Sequence, residues 1–177
     1  MYDIEIKWRA FPLHPDTPEE GLLLETLFAN YPVDIEKIMG DLKKAADDVG
    51  LPLGDRTTTY NSRLCQELGL WAESQGKGDP FHKAAFTAYF VDGKNIAKIP
   101  VLIDLARSVG LPPREARAVL ETRSFEAAVD SDWDLSRKKS ITAVPTFVMN
   151  EKKLVGAQSY RVLAGFVETN GAIPQKG

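Results

Sequence analysis

The hydrophobic pattern changes period twice along these 177 residues. At the start, "YDIEIKWRAF" sets Ile4, Ile6 and Trp8 on one face and Asp3, Glu5, Lys7 and Arg9 on the other. That is the two-residue period of a strand covered on one side. In "PLHPDTPEEG", Pro12, Pro15 and Pro18 hold an extended connection, with Asp16 or Thr17 placed to cap a helix that has Pro18 in its first turn. From there to about residue 137 the pattern is helical. Leu23, Leu27 and Phe28 form one stripe, and Ile35, Ile38, Leu42, Ala45, Ala46 and Val49 form another that ends at Gly50. Leu64, Leu68 and Trp71 share a face, as do Phe81, Ala85, Ala88 and Tyr89, with Asp79 as cap and Pro80 at the first position. Residues 99–111, 112–122 and 125–140 supply three further helices, punctuated by Gly110, Pro112, Pro113 and Ser124.

After Ser140 the two-residue period returns. "VPTFVM" reads as a strand, "NEKK" as a turn and "LVGA" as a second strand, and Ser159 caps a last helix whose face is Val162, Leu163, Phe166 and Val167. Pro145 cannot donate to a sheet ladder, so it belongs at a strand start, an edge or a special turn. Strand, helices, then strand, turn, strand and helix describe a split α/β layer with a helical block inserted between its parts.

Composition narrows the function classes. With 22 Lys and Arg against 25 Asp and Glu, the net charge is -3. No basic stripe is interleaved with aromatics, which argues against nucleic acid as a partner. No apolar run approaches the roughly 20 residues of a membrane span, and the first residues lack a secretory core, so the expectation is a cytoplasmic protein with no membrane partner. The single cysteine, Cys65, rules out a disulfide within the chain, and with only His14 and His82 a zinc site is not expected.

The stretches "IKWRAFPLHPDTPEEG", "NSRLCQELGLWA", "HKAAFTAYFVDGKNI" and "DWDLSRKKSITAVPTFVMNEKKLVGAQ" together resemble the DsbA superfamily of the thioredoxin fold, in its FrnE-like branch. "VPTF" alone would recur by chance; with the later "GAQ" and the long helical insertion it is specific. The resemblance implies an α/β thioredoxin-like fold lacking the first strand and helix, with a large all-helical insertion. Its thioredoxin-like part would be residues 1–15 and 138–177, and its helical insertion residues 16–137. It also implies a cis bond before Pro145, leaving the N–H and C=O of Val144 directed outward, where a peptide or thiol substrate pairs like an added strand, with Thr146 opening the next strand.

The family's chemistry rests on Cys-x-x-Cys at a helix N-terminus, where the dipole lowers the first thiol's pKa. This sequence contains no such motif. The expectation is therefore a FrnE-like thiol-disulfide oxidoreductase without its reactive pair in this chain and without disulfide exchange of its own. One alternative is a glutathione-dependent isomerase or transferase resembling 2-hydroxychromene-2-carboxylate isomerase, with glutathione at the same loop; another is a non-catalytic binding module. Loss of the strand between residues 4–8 and residues 146–149 would expose two strand edges, which then pair with each other or with a second copy in a homodimer.

The substrate-binding candidates are thus Val144, Pro145, Thr146 and Asn61. In the resemblance Asn61 falls near the thiol centre; as an asparagine before a helix it serves equally as a cap. Cys65 reads as a core thiol, or as a reactive one near the groove. His14 reads as a surface-loop residue and His82 as an exposed first-turn residue. Asp130, Asp132 and Asp134 lack the glycine and glutamate of a calcium loop and read as a solvated helix face, with Trp133 as packing.

Overall fold

The structure, a computed structural model, describes residues 2–174 and divides into two units. One comprises residues 14–129; the other joins the two chain ends, up to residue 13 and from residue 130 onward. The division falls inside a helix, not after it.

In the first unit, β1 (Leu22–Leu23) pairs antiparallel with β2 (Thr58–Thr59), a two-residue ladder that the sequence pattern does not announce. Helix α1 (Leu24–Phe28) follows β1 directly. Helix α2 (Ile35–Asp48) starts at Asp34, whose carboxylate accepts from the Lys37 N–H at 3.0 Å. The stripe predicted for α2 is present, yet none of its residues is buried, and Ile38 and Leu42 are exposed. A helical period reports which residues share a face; it does not report that the face is covered.

The core lies further on, where α3 (Arg63–Ser74), α4 (Gly78–Phe86), α5 (Ile99–Ser108) and α6 (Pro113–Thr122) pack together. Leu68, Phe81, Leu102 and Leu120, one from each helix, are fully buried. Burial of such a side chain contributes about 1.5–3 kcal/mol. Close approach is permitted by Ala72, Ala85, Ala106 and Ala116, which are also buried. Asp79 lies inside the first turn of α4, because the helix already begins at Gly78. Every buried apolar side chain among the described residues belongs to this unit.

The second unit contains most of α7 (Glu126–Lys138), the antiparallel hairpin β3 (Thr146–Met149) and β4 (Lys152–Val155), and α8 (Tyr160–Thr169). The turn is two residues long: Asn150 and Glu151 both adopt positive φ, 46° and 65°. That is the primed geometry matching the strand twist, so Lys152 and Lys153 belong to the strand and not to the turn. Ser159 caps α8 by accepting from the Val162 N–H at 3.5 Å.

The strand expected over residues 4–8 is absent; the segment makes no ladder, and Ile4, Ile6 and Trp8 are exposed. Alternation specifies a strand only where a neighbouring strand supplies partners, and among the described residues none does. The segment is held by side chains instead. Arg9 Nη1 donates to Asp132 Oδ1 at 2.8 Å, and the Ala10 N–H donates to Asp132 Oδ2 at 3.0 Å. Asp132 is therefore a buried clamp on α7, not part of a solvated face. Tyr2 adds a hydroxyl bond to the Glu168 carboxylate and a bridge to Pro174.

Candidate functional site

Register places the site's main-chain groups. β3 and β4 pair Thr146 with Val155, Phe147 with Leu154, Val148 with Lys153 and Met149 with Lys152. The Gly156 N–H donates to the Pro145 carbonyl at 2.8 Å. In an antiparallel pair, hydrogen-bonded positions alternate. Pro145, Phe147 and Met149 therefore face β4, and the N–H and C=O groups of Thr146 and Val148 face the opposite edge. Val144 extends that row: no hydrogen bond among the described residues uses its main-chain groups. The Val144–Pro145 peptide is cis, and Thr146 Oγ1 donates to the Ala143 carbonyl at 2.7 Å, closing the turn.

This edge is also apolar. Val144, Phe147 and Val148 are exposed, and no charged residue interrupts β3, whereas β4 carries Lys152 and Lys153. Charge on an edge discourages strand addition; its absence permits it. The arrangement can bind an extended chain by main-chain pairing, with alternate side chains of the ligand against apolar surface.

Asn61 belongs to the other unit. Its Oδ1 accepts from the Arg63 N–H at 2.9 Å at the start of α3, and its Nδ2 donates to the carbonyls of Pro15 at 3.1 Å and Thr17 at 2.8 Å. The amide thus joins the residue 15–17 loop to the helix start.

Cys65 lies in the α3 core, and burial pushes its thiol pKa up to about 12. Its sulfur stays protonated near neutral pH and is a poor nucleophile. His82 is not an exposed first-turn residue: it is half-buried, its Nε2 stands 3.6 Å from Glu73 Oε1, and burial lowers its pKa despite the charge of Asp79. His14 is likewise half-buried, its carbonyl accepting from the Thr17 N–H at 3.3 Å and from Thr17 Oγ1 at 3.0 Å.

Glu67 is an ionised group that hydrophobic periodicity does not single out. Its carboxylate is fully buried and takes Arg63 Nε at 2.8 Å, Arg123 Nε at 2.8 Å and Arg123 Nη2 at 2.6 Å. Burial pushes its pKa up, but the hydrogen bonds from Arg123 and Arg63 outweigh that and hold it below the usual carboxylate range. The signal was available: Glu67 lies on the same face as Leu64, Leu68 and Trp71, and a carboxylate inside an apolar stripe implies buried cations.

Comparison with known proteins places this geometry. The uncharacterized protein YwbO of Bacillus subtilis is 26% identical over 158 residues, spanning 88% of this chain and 76% of that one. A probable DsbA oxidoreductase of Streptomyces coelicolor superposes with a TM-score of 0.84 at 24% identity, over 95% of this chain and 76% of that one. The structure of 2-hydroxychromene-2-carboxylate isomerase superposes with a TM-score of 0.69 at 15% identity, over 81% of this chain and 73% of that one. The fold is accordingly the DsbA-like thioredoxin fold with its helical insertion. Since the DSBA-like thioredoxin domain family matches residues 1–168, the chain belongs to that family.

Proposed function

We propose that this chain acts in FrnE-like thiol-disulfide chemistry as the part that holds the substrate, receiving an extended peptide or a thiol tripeptide along Val144, Thr146 and Val148. The observation that carries this reading is the row of main-chain donors and acceptors on the outer edge of β3, without ladder partners among the described residues. Substrate main chain pairing there would bring a cysteine sulfur beside Pro145, and main-chain pairing is indifferent to side-chain sequence. The reactive sulfur is not Cys65, since a thiol held at about 12 and buried neither ionises near neutral pH nor meets a disulfide.

The test is a titration of the isotopically labelled protein, followed through its amide resonances, with a short extended peptide whose cysteine is replaced by serine and, separately, with reduced glutathione. Amide shifts at Thr146 and Val148 are expected, together with loss of peptide binding when the peptide's alternate amides facing β3 are N-methylated. Equal affinity of the methylated peptide would overturn the reading. Response to glutathione alone would select the isomerase-like alternative. In an insulin-reduction assay with dithiothreitol, the protein and its Cys65→Ala variant are expected to match; acceleration by only the cysteine-bearing protein would refute the exclusion of Cys65.

A further inference from the structure

Arg56 lies in the loop ahead of β2, half-buried, and no described carboxylate forms an ion pair with it. The adjacent Asp55 pairs with Lys43 instead, at 3.3 Å. Arg56 Nη1 donates to the Tyr89 hydroxyl and, at 3.4 Å, to the Thr58 carbonyl. Its Cζ stands 4.6 Å from the centre of the Tyr89 ring and 5.5 Å from that of Phe90. The guanidinium is thus gripped on one side by aromatic faces and one nitrogen. Its Nε and Nη2 make no hydrogen bond among the described residues, and these two form the side-on fork that takes a carboxylate through parallel bonds.

Local backbone builds the cradle. Thr87–Val91 is a π-helical turn, a geometry often retained at functional sites, and it presents Tyr89 and Phe90 side by side with their rings edge to face at 4.8 Å. Tyr89 is fixed by Thr59 Oγ1 at 2.9 Å. The Gly54 N–H donates to the Phe90 carbonyl at 2.9 Å, and a Cβ at Gly54 would stand 2.3 Å from the Val91 carbonyl oxygen, so glycine alone lets the loop come this close. Phe86, exposed and 6.1 Å from Phe90, extends the apolar wall. Burial first, and then the charge of Arg56, lowers the pKa of His14.

We infer that Arg56, with Tyr89 and Phe90, forms a recognition site for a small carboxylate bearing an apolar body. The carboxylate takes Nε and Nη2 as a pair while the apolar body lies along Phe90 and Phe86. This site is built wholly from residues 14–129 and does not depend on the reading of the β3 edge.

Phenylacetate, its neutral isostere phenylacetamide and inorganic phosphate test this on the intact chain, with the Arg56 Nε–H resonance, assigned through its own backbone, as the readout. Phenylacetate is expected to move that resonance in a saturable way, phenylacetamide to bind at least tenfold more weakly, and Arg56→Gln to lose tenfold or more in affinity. An Nε–H signal unmoved by millimolar phenylacetate would overturn the site. Phosphate binding as tightly would overturn the requirement for an apolar body. Should Arg56→Gln fail to fold, the resonance of the unmodified protein still decides.

Discussion

Arg123 meets Glu67 through two parallel bonds, Nε to Oε2 at 2.8 Å and Nη2 to Oε1 at 2.6 Å, from a backbone in the left-handed region with φ of 54°. The residue that ends α6 thus also neutralises a carboxylate inside α3. Arg123 is 37% exposed and also meets Glu126 at 3.3 Å, so removing the buried carboxylate leaves its cations partly solvated, at a cost of about 1–3 kcal/mol. Glu67→Ala is expected to lose that much in urea denaturation at pH 7; a loss under 1 kcal/mol would place the pair in the class of surface bridges.

The same carboxylate fixes the sign of a pH effect. Its folded pKa is depressed, so its contribution to stability is complete above the unfolded value of 4.5 and is lost as pH falls through the lowered folded value. Denaturation midpoints of the unmodified protein should therefore fall more steeply than those of Glu67→Gln below pH 4.5. Parallel profiles would remove Glu67 from the acid response.

Core and surface apolar residues should separate cleanly. Phe81 has no exposed surface and Ile6 is 74% exposed. Phe81→Ala is expected to cost about 3–5 kcal/mol and Ile6→Ser within about 0.5 kcal/mol, both read from denaturant midpoints. A large cost at Ile6 would mean that residues 3–10 are covered in solution.

Cys65 should react with iodoacetamide at pH 8 only after denaturation. Both burial and a pKa near 12 suppress its thiolate. Native labelling at the rate of a free cysteine, measured by mass spectrometry, would contradict its place in the core.

Asp132 should govern exchange of one amide. The Ala10 N–H ends on its Oδ2, and losing a buried acceptor costs about 1–3 kcal/mol. Asp132→Ala is expected to speed hydrogen exchange at Ala10 about tenfold or more. An unchanged rate would assign the protection to something else.

Legibility in the sequence followed the kind of information each feature needs. Helices such as α3, α5 and α6 declare themselves because their stripes are buried, and "VPTFVM" declares β3 because its partner lies a two-residue turn away. Residues 4–8 carry the same alternation with no strand among the described residues to pair against, which no period can reveal. Asp132 and Arg9 are 123 positions apart, and their bond belongs to the tertiary structure. Glu67 was visible as a charge out of place. Arg56 was not: it stands in a loop of threonines where periodicity has no purchase, and its aromatic neighbours arrive from a π-helical turn that has no sequence signature. Val144, Pro145 and Thr146 stand together at one end of β3, while Asn61 bridges a loop and a helix start in the other unit.

The unequal dressing of the hairpin has a further consequence. Two lysines shield one flank and no described strand pairs with the other, so growth by strand addition has a single direction. If two molecules meet through the bare flank, the lysine-bearing strands end up outermost, and the assembly terminates at a pair instead of continuing into a fibril.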